Sequence, residues 1–333
     1  AGVFTTSGFS LASLREPSLV LWAWLAGGVV ALAGAYSYGV LVRLIPESGG
    51  EYAFLSRAAH PFLGFVAGWV SLLAGFSGAI AFAATTLESY LPFGGVLPKG
   101  AVAVTAVLLG ACLHGFYRTA GVATQNISVA IKLGLIVVFI VIAGIDWSGG
   151  DWQGAALPVE SEAGPWWLAF AQALVWISLS YSGFNAAVYV AAEAKSSAVV
   201  GKALLIGTGV VTVMYLLLNG AFVLAPSPGE IAGQPDVAAR AAEAIGGTKL
   251  AAAVRGVIGL ALFTSVLSMM MAGPRVYAKM ADDGFLPKQL CLRPDRHWPP
   301  VMLQAVIAIG MILLATVQDL LGYLGLTLSL SAA

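Results

Sequence analysis

The sequence predicts an all-α polytopic membrane protein that forms a single transmembrane domain over residues 1–333. Of its residues, 59% are hydrophobic and only 10% are charged, whereas soluble domains carry about a quarter charged residues. The mean hydropathy is high, at +0.90. Long apolar runs, nearly free of charge, recur from one end of the chain to the other. Most are close to the roughly 20 residues that a helix needs to cross a bilayer.

These runs define ten hydrophobic segments, numbered one to ten in chain order, of which the first and the last are partial. Membrane barrel strands are only about ten residues long and alternate in polarity, so the runs favour helices. Both chain ends are apolar, and we expect each to lie inside a helix of a domain truncated at both ends. The segments comprise residues 1–14, 19–42, 61–87, 101–117, 119–145, 163–192, 203–225, 256–274, 299–318 and 320–333.

Basic residues predict the orientation of the segments. Of the 16 Lys and Arg residues, ten fall in connections on one side, five fall on the other, and Lys132 lies inside a segment. The richer side is predicted to be cytoplasmic. The loop 146–162 on the opposite side carries four acidic residues and no basic one. We therefore expect a multi-pass protein in the lipid bilayer of the cell membrane, specifically the inner membrane of a bacterium. The zero net charge gives no electrostatic argument for nucleic acid as a partner.

Two longer connections are predicted to carry surface helices. In the first, residues 226–249, Asp236 is a candidate N-cap, and Gly246-Gly247 is a helix stop signal. The second, residues 275–298, has a helical stretch that Gly284 and Pro287 are expected to end.

Lys132 lies near the middle of segment five, with about half a helix of apolar residues on each side. A charged, unpaired amine at that depth costs at least a few kcal/mol. The side chain therefore has to face the protein interior, reach the interface along its stem, or lose its proton. The first and last of these favour a functional site, whereas reaching the cytoplasmic interface would leave Lys132 without a role.

Segment six is interrupted at its middle by small and polar residues, with Ser182-Gly183 followed by Asn185. A helix broken at Gly183 would free backbone N–H and C=O groups, which are tolerated in a membrane only where they line a cavity or meet a ligand. The alternative is close helix packing, which also uses Gly and Ser. Segment one begins with the small and polar residues 1–8. Paired interrupted segments indicate the central site of a transporter.

Ser265 and Ser268 in segment eight are three residues apart and share a helix face. Their hydroxyl groups either coordinate an ion or bond back to carbonyl groups of their own helix. The sequence contains no HExxH, GxSxG, P-loop or CxxC pattern. We therefore expect no enzymatic activity, no bound metal and no cofactor.

Four stretches together resemble the amino acid–polyamine–organocation (APC) superfamily of permeases, in the expected order and over nearly the whole chain. Each stretch alone is unspecific, but the combination is specific. They are Pro46–Leu55 (PESGGEYAFL), Asn126–Leu133, Tyr181–Glu193 and Arg275–Pro287.

The resemblance implies the LeuT-type fold, with two inverted five-helix repeats and helices one and six unwound midway around the substrate. It implies that backbone amides at Ala1 and Gly2 hold the substrate carboxylate. Carbonyl groups in the helix-six break would hold the α-amine, and Leu179 departs there from the aromatic gate of many relatives. Lys132 matches a lysine whose amine takes the place of a sodium ion, with Ser265 and Ser268 opposite it. The implied helix-six positions are Leu179, Ser180, Tyr181, Ser182 and Gly183.

The predicted function is therefore secondary active transport of amino acids or related amines by alternating access, coupled to protons through Lys132. A neutral amino acid is the expected substrate, because no carboxylate marks the central segments as a site for a cation. Two alternatives stay open at this point. One is an exchanger without ion coupling, and the other is a membrane sensor that binds amino acids without transporting them.

Overall fold

A computed structural model describes residues 2–4, 6–91, 97–145, 165–293 and 296–315, together with the single positions 319, 320, 323 and 327. Within these residues every regular element is a helix. The α-helices are α1 (Thr6–Leu14), α2 (Pro17–Leu44), α3 (Gly50–Ala58), α4 (Pro61–Val70), α5 (Ala79–Tyr90), α6 (Ala101–Phe116), α7 (Arg118–Ile145), α8 (Trp166–Tyr181), α9 (Ser197–Leu224), α10 (Pro228–Ile231), α11 (Val237–Asp282) and α12 (Trp298–Leu314). The 3₁₀ segments are Gly2–Phe4, Ala186–Glu193 and Lys288–Leu290, and the π-helical segment is Ser71–Gly78.

Six helical stretches within the described residues are long and apolar enough to cross a membrane, and two shorter ones are apolar. This confirms the prediction of an all-helical, polytopic membrane protein. The number of ten segments, the inverted repeat and the single domain stay predictions. Segment ten, the acidic loop 146–162 and Ala1 lie mostly or wholly outside the described residues. The six stretches are Pro17–Leu44, Pro61–Tyr90, Thr119–Ile145, Trp166–Glu193, Ser197–Leu224 and Val237–Asp282.

The long helix α11 contains both helical stretches that the sequence predicts in the two longer connections. It begins directly after Asp236, as expected, and its winding is interrupted at Gly246 and Gly247. Gly247 has φ 70 and ψ −168, a conformation open to glycine and strained for other residues. The first helical stretch therefore ends at the glycine pair, as predicted, and a second stretch follows directly across the kink without a loop. The same helix continues past Pro274 to Asp282, which accounts for the helical stretch predicted beyond segment eight.

The chain divides into two compact units. The first contains residues 1–37, 131–184 and 202–258, and in it α1 packs on α8. The second contains residues 38–130, 185–201 and 259–333, and in it α12 packs on α6 and on the π-helical segment. The second unit has a core of large apolar and aromatic side chains. They are Tyr52, Leu72, Phe76, Tyr189, Ala272, Val276, Tyr277 and Met280.

Candidate functional site

The predicted interruption of segment six is present in the structure. Regular α-helical winding ends at Tyr181, residues 182–185 form turns, and a 3₁₀ segment begins at Ala186. The amide of Phe184 donates to the Tyr181 carbonyl at 3.0 Å, three residues back instead of four. Position 183 does not require glycine, because its φ is not positive and a Cβ there would meet nothing within 4 Å. The cause of the interruption therefore lies elsewhere than in the backbone freedom of Gly183.

Tyr215 on α9 supplies a partner for backbone freed at this helix end. The last carbonyl groups of an α-helix have no amide four residues on to bond with. The Tyr215 hydroxyl donates to the carbonyl oxygen of Ser180 at 3.2 Å. The Tyr215 carbonyl in turn accepts from the Asn219 side-chain amide at 2.8 Å. A side chain from another helix thus stabilises the place where α8 stops.

Segment one approaches the same place. A Cβ on Gly2 would overlap the hydroxyl of Ser180 and lie 3.4 Å from the Ser180 Cα, so a side chain at residue 2 would have to displace that hydroxyl and push the two backbones slightly apart. The Thr6 hydroxyl donates to the Gly2 carbonyl at 2.8 Å and fixes the 3₁₀ turn ahead of α1. Farther along α1, Phe9 packs on Trp176 of α8, with 6.2 Å between ring centroids.

A buried aromatic and polar cluster lies behind this contact. Trp24 is fully buried. Its ring packs at a tilt on Tyr181 and edge-on against Tyr215, at centroid distances of 5.9 and 5.4 Å. Its carbonyl accepts from the Tyr181 hydroxyl at 3.1 Å. Its indole N–H donates to the Ser7 hydroxyl at 3.0 Å, and that hydroxyl donates to the Asn219 side chain. The cluster holds α1, α2, α8 and α9 together within the first unit.

The five predicted helix-six positions separate into two groups. Ser180 and Tyr181 face the cluster, and the Ser180 hydroxyl is buried without a hydrogen bond to any described residue. Leu179, Ser182 and Gly183 are exposed. The Ser182 hydroxyl bonds back to the Leu179 carbonyl at 2.9 Å. The structure thus brings Gly2 against Ser180, places Tyr181 in the buried cluster, and leaves Leu179, Ser182 and Gly183 exposed.

Lys132 lies near the middle of α7, partly buried, in the first unit. Ser265 and Ser268 belong to the second unit. Their hydroxyls donate to the carbonyls of Ala261 and Thr264 in their own helix, both at 2.9 Å. Both serines thus bond back to their own helix, and their role beside Lys132 stays a prediction.

Gln125 is a buried polar residue that sequence reasoning missed. Its side-chain amide donates to the Ser268 hydroxyl, and its carbonyl oxygen has no hydrogen-bond partner among the described residues. It precedes Lys132 by two helical turns on α7. A glutamine inside an apolar segment is a signal that the sequence offered.

An ion cluster of Glu47, Arg57, Lys279 and Asp283 joins the α2–α3 loop and α3 to the end of α11. Lys279 lies in the last turn of a membrane-spanning stretch, and the other three lie outside these stretches. Arg57 lies 3.2 Å from Glu47 and 3.1 Å from Asp283, and Lys279 lies 2.8 Å from Glu47. Hydrogen bonds from Lys279 and then Arg57 lower the pKa of Glu47. Burial alone would raise the pKa of Asp283, but the Tyr52 hydroxyl and the two cations lower it overall. The two cations therefore favour the ionised forms of Glu47 and Asp283.

Comparison with known proteins also indicates an amino acid permease. The family model described as amino acid permease matches residues 1–332. The b(0,+)-type amino acid transporter 1 of Mus musculus is 28% identical over 69% of this chain and 49% of its own length. The serine/threonine exchanger SteT of Bacillus subtilis is 25% identical over 94% of this chain and 72% of its own length.

A third relative is the large neutral amino acids transporter small subunit 2 of Homo sapiens, 24% identical over 98% of this chain and 63% of its own length. The chain thus spans about half of the first relative and about two thirds of the others. All three relatives are transporters and not enzymes. With a family model that covers almost every residue, the chain belongs to the amino acid permeases of the APC superfamily.

Proposed function

We propose that this chain forms the core of a secondary active transporter that moves neutral amino acids across a membrane by alternating access. The observation that carries the proposal is the close contact of Gly2 with Ser180, one residue before α8 stops at Tyr181. Two segments that leave regular winding side by side offer backbone polar atoms at membrane depth. Such atoms are tolerated where they line a cavity or bind a ligand.

The two helix ends suit the two charges of an amino acid. The C-terminal end of α8 carries a partial negative charge and favours the α-ammonium group, while the N-terminal end of α1 favours the carboxylate. The unpaired Ser180 hydroxyl supplies a further polar atom beside Gly2. We propose that Ala1, Leu179, Ser182 and Gly183 complete the lining.

A neutral side chain is the proposed preference of the site. The described residues of the cluster beside Gly2 and Ser180 are aromatic, hydroxyl or amide side chains, with no charged group to pair with a charged substrate. Two relatives that align with nearly the whole chain carry serine/threonine and large neutral amino acids in their names. Both observations favour a neutral α-amino acid.

Lys132 is the proposed proton-coupling group, because it is the Lys or Arg residue nearest the middle of a membrane-spanning helix. Ser265 and Ser268 stay candidate partners, since a hydroxyl oxygen that donates to its own helix can still accept a hydrogen bond. The bacterial inner membrane is the proposed location, and the Bacillus subtilis relative supports a bacterial member of this kind.

Exchange without ion coupling is the second candidate, and the name of the serine/threonine exchanger favours it. The two candidates differ in one measurable property. A proton-coupled permease accumulates substrate in empty vesicles when the outside is acidic. An exchanger takes up labelled substrate only when the vesicles already contain unlabelled substrate, whatever the pH.

The experiment is a panel of labelled amino acids with the full-length protein in proteoliposomes, at two external pH values and with or without internal substrate. Gly2→Val is the test variant, because its side chain would overlap Ser180. Gly209→Val on α9 is the matched control, since a Cβ there meets nothing within 4 Å. We expect uptake by the unmodified protein and by Gly209→Val, and loss in Gly2→Val. Binding without uptake by the unmodified protein would select the sensor alternative and refute the transporter.

A further inference from the structure

The polypeptide passes from one compact unit to the other after residues 37, 130, 184, 201 and 258. Glu51 of α3 binds the residues that open the second unit at two of these crossings, Tyr38 and Asn185. The Tyr38 hydroxyl donates to Glu51 Oε1 at 3.0 Å, and the Asn185 side-chain amide donates to the same oxygen. The Tyr189 hydroxyl donates to the other oxygen, Oε2, at 2.5 Å. The Glu51 carboxylate thus binds one residue at each of two crossings, and it also binds the 3₁₀ segment that follows the interruption of segment six.

The backbone around Glu51 is shaped to permit these contacts. Gly50 has φ +56, and a Cβ there would overlap the ring of Tyr189. A larger residue would therefore separate Tyr189 from Glu51. The crossing after Gly201 lies beside the crossing before Tyr38, because Gly39 and Gly201 touch backbone to backbone. A Cβ on Gly39 would lie 3.3 Å from the Gly201 Cα.

The same 3₁₀ segment is anchored at its far end as well. The amide of Ala192 donates to the Ser48 hydroxyl at 3.0 Å. Glu193 pairs with Arg275 of α11 at 3.0 Å. The segment is therefore held within the second unit, and Asn185, the last residue of the turn that ends the proposed substrate-binding stretch, directly precedes it.

We propose that Glu51 is a positioning residue for transport. It fixes Tyr38 and Asn185, so that a change in winding at residues 180–184 is passed to the second unit instead of being absorbed by loose backbone at the crossings. The inference rests on the proposed function. It adds a residue that touches no substrate and that acts on turnover and not on binding.

Glu51→Gln tests the proposal with almost no change in size. The amide nitrogen of the new side chain is a donor. It would meet the donor of Asn185, or it would require the hydroxyl of Tyr38 or Tyr189 to turn and accept, and in either case the bonds to a charged carboxylate are lost. A hydrogen bond to a charged group contributes a factor of roughly ten to one hundred to an equilibrium. We therefore expect the maximal uptake rate to fall at least about tenfold, while substrate binding in detergent changes less than about twofold.

Exchanging the two groups provides a rescue. In the double variant Glu51→Gln/Asn185→Asp, the donor and the acceptor trade places, so uptake is expected to recover to within about threefold of the unmodified protein. Asn185→Asp alone sets two carboxylates against each other and is expected to lose uptake. Glu88→Gln is the matched control, because Glu88 lies in the same unit and accepts from the amides of Gly100 and Ala103 at 2.7 and 2.9 Å. It binds no crossing residue, and we expect its uptake to match that of the unmodified protein.

Uptake by Glu51→Gln equal to that of Glu88→Gln would overturn the proposal, as would equal loss of binding and uptake without rescue by the double variant. If Glu51→Gln does not fold, Tyr38→Phe and Tyr189→Phe each remove one donor and keep the carboxylate. Normal uptake in both would also overturn it. If the unmodified protein neither bound nor transported an amino acid, the proposed function would be refuted, and this inference with it.

Discussion

Replacing Tyr215 by phenylalanine tests the idea that a side chain from α9 holds the end of α8 in place. The change removes the hydroxyl that donates to the Ser180 carbonyl at 3.2 Å. It keeps the ring, whose centroid lies 5.2 Å from that of Tyr181 and 5.4 Å from that of Trp24. Any effect therefore comes from the lost hydrogen bond and not from a cavity.

The expected magnitude follows from the state of the carbonyl. A buried acceptor left without its partner costs about 1–3 kcal/mol. The hydrogen bond to the Ser180 carbonyl is only partly buried, so the lower half of that range applies, about 1–2 kcal/mol. If the cost falls on the substrate-binding conformation, the dissociation constant rises by a factor of roughly 5–30, since 1.4 kcal/mol corresponds to tenfold.

Equilibrium binding of a labelled neutral amino acid to purified protein in detergent measures this factor. Tyr36→Phe is the control, since it makes the same chemical change at a tyrosine that is 63% exposed on α2. We expect its dissociation constant to stay within twofold of the unmodified value. A Tyr215→Phe constant that also stays within twofold would show that the hydroxyl does not maintain the interruption.

Three other predictions concern the site, the coupling and the ion cluster. Gly2→Val should abolish substrate binding while a Gly209→Val control keeps it, as measured by the same equilibrium assay. Lys132→Ala should abolish proton-driven uptake and leave the protein folded, and pH-dependent uptake that persists in this variant would remove the lysine from the mechanism. The pKa values of Glu47 and Asp283 are lowered from 4.5 and 3.8, so the ion cluster stabilises the fold fully above those values and loses that contribution as the pH falls through the lowered ones. The unfolding temperature should therefore drop as the pH falls below about 4.5, and less steeply in Asp283→Asn.

The features that the sequence predicted well are those written locally in the chain. Length and apolar composition determine whether a helix can cross a bilayer, and stretches such as 197–224 need no knowledge of their neighbours. The interruption near Ser182 was also predictable, because Ser, Gly and Asn are rare in the middle of an apolar run. The glycine kink at Gly247 follows from the same local logic, although the helix resumes after it.

The partners of these features could not be predicted, because they come from distant parts of the chain. Ser7 and Asn219 are 212 positions apart, and Gln125 and Ser268 are 143 apart. Each of these is an ordinary polar residue in an apolar helix. The sequence alone cannot say which distant residue it bonds to. Glu51 was visible only as part of a motif, and its role as an acceptor for three donors depends on Asn185 and Tyr189 being brought back to α3.

Gly183 marks the break of segment six in the sequence but does not cause it. The sequence attributes the break to glycine, yet the residue adopts a conformation that any amino acid can adopt and has open space around it. What distinguishes this place is that the carbonyl of Ser180, which continued winding would pair with the Phe184 amide, is bound by Tyr215 instead. The break is therefore a tertiary property of α8 and α9. It follows that Gly183→Ala should disturb the helix end less than Tyr215→Phe does, although the sequence alone would rank the two the other way.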